Sequence, residues 1–250
     1  MFNYRDFGLE EGNLYEILAI TFSEFDKKGK IKPNTACMGI RCIKNNLLKI
    51  SPYPETTTLK NLKKNGWIVI NFIDDVYLYA LAALKEPNST IGIEEFPSKY
   101  YEYYESSISK DFRKNFNNFT KSDKILIPYI NEAWLFLYGK VVAKDQITKT
   151  NGLGELKVSE FTINIIDFKK LKESFKLFNR AESLALEIIV LATRLKIAKE
   201  KNERTLFNEI YIKLIDHIEN IKRFGKNKSA LKTVDLVSNY IKTLKNYSLS

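Results

Sequence analysis

Apolar residues follow one rhythm in the first two thirds of the chain and another in the last third. Up to about residue 166 they come in short blocks, several of them alternating, which predicts strands. Leu14–Phe22, Asn34–Ile43 and Leu47–Ser51 are the first three, with Asn45-Asn46 as a tight turn between the last two. Trp67–Ile73 is nearly all apolar and predicts a strand buried on both faces. Ala133–Val142 and Glu155–Ile166 complete a set of six; Gly139 predicts a bulge, and a phase slip near Glu160 predicts a second irregularity. Between them, a short helix Leu59–Lys64 should stop at Asn65-Gly66. A further helix is expected from Ser98 as cap to about Asn115, with Asn115–Lys124 as loop. From Asp167 apolar residues recur every three and four positions, as at Leu171, Phe175, Ala181, Leu184, Ile188 and Leu195. That spacing predicts three consecutive helices, ending near Glu200, Phe224 and Leu244, with short links.

Six short strands without strand–helix alternation predict an antiparallel barrel, and the helices a small bundle. The expected class is α+β: a six-stranded antiparallel barrel over residues 1–167 and a three-helix bundle over 168–250.

The hydroxyl-rich bend after the third strand carries the most chemistry. It reads Ser51-Pro-Tyr-Pro-Glu-Thr-Thr-Thr-Leu-Lys-Asn61. Thr56, Thr57, Thr58 and Asn61 fall within about one and a half helical turns, so their polar ends can converge. Hydroxyls, an amide and free N–H groups at a helix start suit a phosphate; the competing reading is that Thr56 or Thr57 only caps the helix. Asp74-Asp75 ends the fourth strand and invites an acid/base role, though such a pair more often caps the following segment, here Val76–Leu84.

Composition narrows the field. A hydrophobic share of 44% supplies a full core. Apolar runs fall well short of the ~18–20 residues of a membrane span. The first residues show no basic stretch before an apolar core, so no signal peptide is expected. Cys37 and Cys42 lie at odd spacing in one strand and point to opposite faces, which excludes a disulfide between them and fits a cytoplasmic protein. One histidine, His217, off the apolar stripe and expected to be exposed, leaves no raw material for a zinc site or a Ser-His-Asp triad. Net charge is +10, of which residues 168–250 hold 18 basic and 9 acidic side chains. The lysines are scattered and no nucleic-acid motif accompanies them, so a solvated face is favoured over a polyanion site.

The ordered set Tyr15-Glu16-Ile17, Pro33-Asn34-Thr35-Ala36-Cys37-Met38-Gly39, Thr56-x-Thr58-x-x-Asn61-Leu62 and Val69-Ile-Asn71-Phe-Ile-Asp74-Asp75 resembles the DUF447 family. That family belongs with the FMN-binding split barrels, beside flavin reductases and pyridoxamine-phosphate oxidases. Asn179-Arg180-Ala181-Glu182, Glu187 and Ala192-Thr193-Arg194-Leu195 resemble its C-terminal helical region. Cys37 departs from the family's pattern, which has proline there. The resemblance implies a homodimer with FMN near the subunit interface and a transient NAD(P)H donor. It places Thr56, Thr57, Thr58 and Asn61 on the phosphate and ribityl chain. It places Asn34, Thr35, Ala36, Cys37 and Met38 along the isoalloxazine, and Asn71 on the flavin or the turn. No catalytic side chain is named, as expected where the cofactor carries the redox chemistry. Three classes follow: an FMN-dependent oxidoreductase of unread substrate, a flavin-binding protein without turnover, or a basic helical module binding nucleic acid.

Overall fold

The computed structural model describes residues 2–23, 31–86, 93–106, 125–151, 154–174, 179–224 and 227–245. The strands are β1 (Leu14–Thr21), β2 (Asn34–Ile43), β3 (Leu47–Ile50), β4 (Trp67–Ile73), β5 (Tyr101–Ser106), β6 (Ile125–Ile130), β7 (Ala133–Asn151) and β8 (Gly154–Lys170). The helices are α1 (Thr57–Asn65), α2 (Val76–Ala83), α3 (Arg180–Glu200), α4 (Arg204–Phe224) and α5 (Lys228–Lys245). The six expected strands close a barrel in the order β1-β2-β3-β8-β7-β4, all of whose registered pairs are antiparallel, and β5 pairs with β6 as a separate ribbon.

Period-two alternation builds the barrel's interior. Ile17 and Ala19 of β1, Ile40 and Cys42 of β2, Ile68, Ile70 and Phe72 of β4, and Phe161 and Ile163 of β8 form one buried cluster. Leu59 and Leu62 of α1 join it, so α1 packs its apolar face onto the same core. The helix starts at the Thr56 cap and stops at Gly66, whose left-handed backbone (φ 73°) ends it. All seven residues of β4 are buried, as its sequence requires: the outward Trp67 lies under Tyr138, rings parallel at 5.1 Å.

Two register shifts bend the β7/β8 pair. Tyr138 faces Asp167 but Gly139 faces Ile165, which leaves Ile166 as the extra residue. Val141 faces Ile163 but Ala143 faces Thr162, which leaves Val142 extra. Both extra residues are among the exposed large apolar side chains, because a bulged residue leaves the alternation. The irregularity expected at Gly139 is therefore present; at Glu160, which faces Asp145, the register is regular, and the second bulge lies instead at Val142. A Cβ on Gly139 would lie 2.6 Å from Ile163 Cγ2 and 3.0 Å from the Asn164 carbonyl. Gly139→Ala should therefore destabilise the barrel by about 1–3 kcal/mol, seen as a lower urea midpoint with an unchanged slope.

Cys42 is wholly buried in this core, and burial pushes its thiol from an ordinary 9.0 up to about 11. The folded state holds this proton more tightly than the unfolded chain. The contribution is therefore intact below pH 9 and is lost as pH rises through 11, an expected fall of about 2–3 kcal/mol. Cys42→Ala should flatten that part of the stability–pH curve.

Two expectations fail. Over its described part the helix expected from Lys99 is not formed: Ser98–Tyr100 is a single 3-10 turn and Tyr101–Ser106 is strand β5, while 107–115 lie outside the described residues. Tyrosine-rich sequence suits an extended chain once a partner exists, and β6 supplies it, with Tyr101 facing Ile130 and Ser106 facing Ile125. The first long helix starts at Arg180 and not near Leu171, since β8 runs on to Lys170; Phe175 lies outside the described residues.

Contacts divide the chain into Met1–Phe72 with Ser98–Glu173, and Ile73–Pro97 with Ser174–Ser250. The division differs from the single cut expected after Asp167, because Ile73–Pro97 groups with the C-terminal helices. Within that second unit α2 is buried along nearly its whole length. Asp75 caps α2 by accepting from the Tyr77 amide at 2.9 Å and also accepts from the Ser229 hydroxyl, while Asp74 accepts from Ser174 Oγ at 2.9 Å. The acid pair thus performs the capping and clamping role. His217 is half-buried and not exposed, with Nδ1 3.5 Å from Asp216 Oδ2. Among the described residues no helix is long and apolar enough to cross a membrane, and no group of His, Cys, Asp and Glu could hold a metal.

Candidate functional site

β2 is paired with β1 over most of its length, from Asn34 opposite Thr21 to Arg41 opposite Leu14. Its other edge is covered by β3 only from Ile40 to Ile43. Over Asn34–Gly39 no described strand lies beside that edge, so the barrel is split there. A strand edge of this kind offers alternating N–H and C=O groups to whatever lies against it.

Side chains of β2 divide by parity. Asn34, Ala36 and Met38 share the inner row with Ile40, and Met38 packs on the core cluster. Thr35, Cys37, Gly39 and Arg41 form the outer row. Thr35 is buried, and its hydroxyl lies 2.5 Å from that of Tyr101 at the start of β5. Cys37 is half-buried and donates to Glu16 Oε2 at 3.8 Å. Burial first, then the Glu16 carboxylate, pushes this thiol far above its usual range, so it stays protonated and is no nucleophile.

The threonine bend resolves into separate tasks. Thr56 is the N-cap of α1: Oγ1 accepts from the Leu59 amide at 3.3 Å and donates to the Tyr53 carbonyl at 2.8 Å. Thr58 and Asn61, three apart, point to the barrel and are buried. Asn34 Nδ2 donates to Thr58 Oγ1 at 3.2 Å and to Thr21 Oγ1 at 3.4 Å, and Asn61 Nδ2 donates to Thr21 Oγ1 at 3.1 Å. Of the four side chains expected to converge, only Thr58 and Asn61 do so, and they meet Thr21 and Asn34. They lock the start of α1 to the ends of β1 and β2. Thr57 is exposed at the first helical position. Its amide and that of Thr58 have no carbonyl within the helix to serve, whereas Thr56 serves those of Leu59 and Lys60.

Asn71 is fully buried on the outer side of β4. Nδ2 donates to the Leu18 carbonyl at 3.1 Å, and Oδ1 accepts from the Ile130 amide at 2.9 Å. Both ends of the amide are used to bind β1, β4 and β6 together. Thr21, Glu16 and Tyr101 are the parts that residue reading missed as site members. Only Thr21 had a usable signal, since strand register puts it opposite Asn34. A separate hollow of about 440 Å³, lined by Phe2, Tyr4, Arg5 and Lys44 among others, sits by the β2–β3 turn at the far end of β2.

Set against known proteins, residues 15–100 match the family described as "Protein of unknown function (DUF447) N-terminal domain". An FMN-bound DUF447 protein of Methanosarcina mazei is similar in structure, with a TM-score of 0.63 at 17% identity, covering 95% of this chain and 100% of that one. Flavin reductase HpaC complexed with NADP+ matches at TM-score 0.39 and 15% identity over 69% of this chain and 88% of its own. A flavoredoxin from Methanosarcina acetivorans matches at 0.38 and 16%, over 66% and 73%. No curated protein sequence matches. The chain therefore folds as a split β-barrel with C-terminal helices, and residues 15–100 of it are similar to the DUF447 N-terminal domain.

Proposed function

We propose that the barrel binds FMN and acts as a flavin-dependent oxidoreductase. The observation that carries this reading is the open edge of β2 beside the start of α1. The two features suit the two ends of one molecule: amide and carbonyl groups along Ala36–Gly39 for the polar rim of a flat ring, and free helix-start amides for an anionic tail. The similar DUF447 protein is FMN-bound, which supports the same cofactor here.

The donor set fits that group with one revision of roles. Thr57 Oγ1 and the amides of Thr57 and Thr58 would meet the phosphate. Thr58, Asn61, Asn34 and Thr21 act behind them and fix where α1 begins. Asn34, Thr35, Ala36, Cys37 and Met38 supply the edge through their backbone, which spans roughly 13 Å at ~3.3 Å per residue. FMN, when bound, would supply hydride and electron transfer, and the protein supplies position and electrostatics. A second copy of the chain would close the flavin's exposed side, and NADH or NADPH would dock transiently, since no dinucleotide fingerprint is present. The substrate class beyond the electron donor is not assigned. Two free cysteines fit a reducing compartment, the cytoplasm.

The test is the cofactor itself. Protein purified under native conditions should be yellow, with absorbance near ~450 nm, and should release FMN on denaturation. Anaerobic NADH or NADPH should bleach it, and a candidate acceptor should restore the colour. Colourless protein whose melting point is unmoved by added FMN would overturn the assignment. Bound FMN that neither nucleotide bleaches would reduce it to flavin binding without turnover.

A further inference from the structure

From the charges gathered at the far end of β2 we propose a second ligand site, for a small zwitterion with two carboxylates and one ammonium. An acidic amino acid or an acidic dipeptide has that pattern. The inference makes no use of the flavin reading. The hollow of about 440 Å³ beside the β2–β3 turn falls within the ~300–1,000 Å³ of small-molecule sites. Its charged lining residues are Arg5, Lys44 and Glu11, and Phe2 and Tyr4 supply buried aromatic rings.

Three separate turns bring the charges together. Arg5 lies in the 3-10 turn Tyr4–Phe7, where Asn3 Oδ1 accepts from its amide at 3.2 Å. Its guanidinium rests 5.8 Å from the centre of the Tyr4 ring, a cation–π distance. Lys44 opens the 3-10 turn Lys44–Asn46, which the Leu47 amide closes by donating to the Lys44 carbonyl. Glu11 bridges to Cys42, and the Gly12 amide donates to the Cys42 carbonyl at 2.9 Å. Arg41 secures the same segment by donating to the Gly12 carbonyl at 3.0 Å. All three charged residues are exposed, and among the described residues none forms an ion pair with another. Two cations and one carboxylate thus border one hollow without neutralising each other. A ligand answers all three only with two negative groups and one positive group. The planar fork of Arg5 suits one carboxylate, the point charge of Lys44 a second, and Glu11 an ammonium. A dianion without the ammonium would meet Glu11 as a like charge, and a simple cation would meet two.

Isothermal titration of the full-length protein, with whatever flavin it carries, tests the site. The ligands are L-glutamate, L-alanyl-L-glutamate and glutarate, which is glutamate without its ammonium. The parent should bind glutamate or the dipeptide with a Kd on the order of 1 mM or tighter, since the contacts are exposed. Glu11→Gln keeps the shape and removes the charge. Glutamate should then bind about fivefold weaker and glutarate about fivefold tighter. Lys44→Gln should weaken both about fivefold, as should Arg5→Gln. Arg5→Gln also loses a ring contact, so Lys44→Gln, which loses none, decides for the cations. The proposal is overturned if the two affinities move together in Glu11→Gln or do not move, or if both are unchanged in Lys44→Gln. A parent that binds neither glutamate nor the dipeptide below about 10 mM overturns it as well.

Discussion

Thr57→Glu should cost this protein its FMN while leaving the fold as stable as before, or slightly more so. Thr57 is the first residue of α1 and is exposed, so a longer side chain meets no packed neighbour. A carboxylate in the first helical turn interacts favourably with the helix dipole, by about 0.3–1 kcal/mol. A flavin phosphate at the same helix start would meet that carboxylate as a like charge. Two unit charges about 4 Å apart at an effective dielectric near 20 repel by about 4 kcal/mol, and screening reduces this. A loss of about 2–3 kcal/mol, on the order of 100-fold in affinity, is the expected result. Fluorescence quenching of FMN on titration with apo-protein measures the affinity, and thermal melting of the apo-protein measures the fold. The two readings should move in opposite directions. An unchanged affinity would remove the phosphate from the start of α1 and with it the proposed orientation of the flavin.

The barrel was legible in the sequence because each of its six strands carries its own local signal. β4 is rich in apolar residues and buried throughout, β1 is buried on both faces from Ile17 to Thr21, and β2 alternates over Ile40–Ile43. The β5–β6 ribbon was not legible for the opposite reason. Tyr100 and Tyr104 sit one helical turn apart, and the strand preference of the tyrosines competes with that spacing until Ile125–Ile130 is placed beside them. A pairing across that separation leaves no mark in either segment alone. The early crossing of Ile73–Pro97 into the helical unit was hidden likewise, since contacts and not composition define it.

At the candidate site, residue type was readable and direction was not. Thr56, Thr57, Thr58 and Asn61 all lie at the start of α1, but only Thr58 and Asn61 join a polar cluster, and it is completed by Asn34 and Thr21. Which of them faces outward depends on where the barrel core lies relative to α1. Leu59 and Leu62 settle it by packing inward, and Thr58 and Asn61 share that side, so they become ties. Asn34 follows by strand parity, its side chain drawn inward with Ala36, Met38 and Ile40. The acid pair at Asp74 and Asp75 shows the same limit: Tyr77 and Ser229 claim Asp75, and Ser229 lies 154 positions further along the chain.

Asn71→Leu separates a structural tie from a cofactor ligand at the residue where the two readings compete most directly. The asparagine amide holds the Leu18 carbonyl and the Ile130 amide at 3.1 and 2.9 Å, in a site with no solvent exposure. Leucine is close in size and cannot form either bond. The Ile130 N–H is then left buried without its acceptor, and each such orphaned group costs about 1–3 kcal/mol. The expected loss is about 3 kcal/mol, and at roughly 2–4 °C per kcal/mol for a chain of this size the melting point should fall by about 6–12 °C. That fall should be present in the apo-protein. The rise in melting point produced by adding FMN should remain as large as in the parent, because the amide spends both of its ends on the barrel. An apo-protein that melts normally but no longer responds to FMN would reverse the assignment and make Asn71 a flavin ligand. A variant that loses both stability and response would show that the tie between β4 and β6 holds the open edge of β2 in its binding shape.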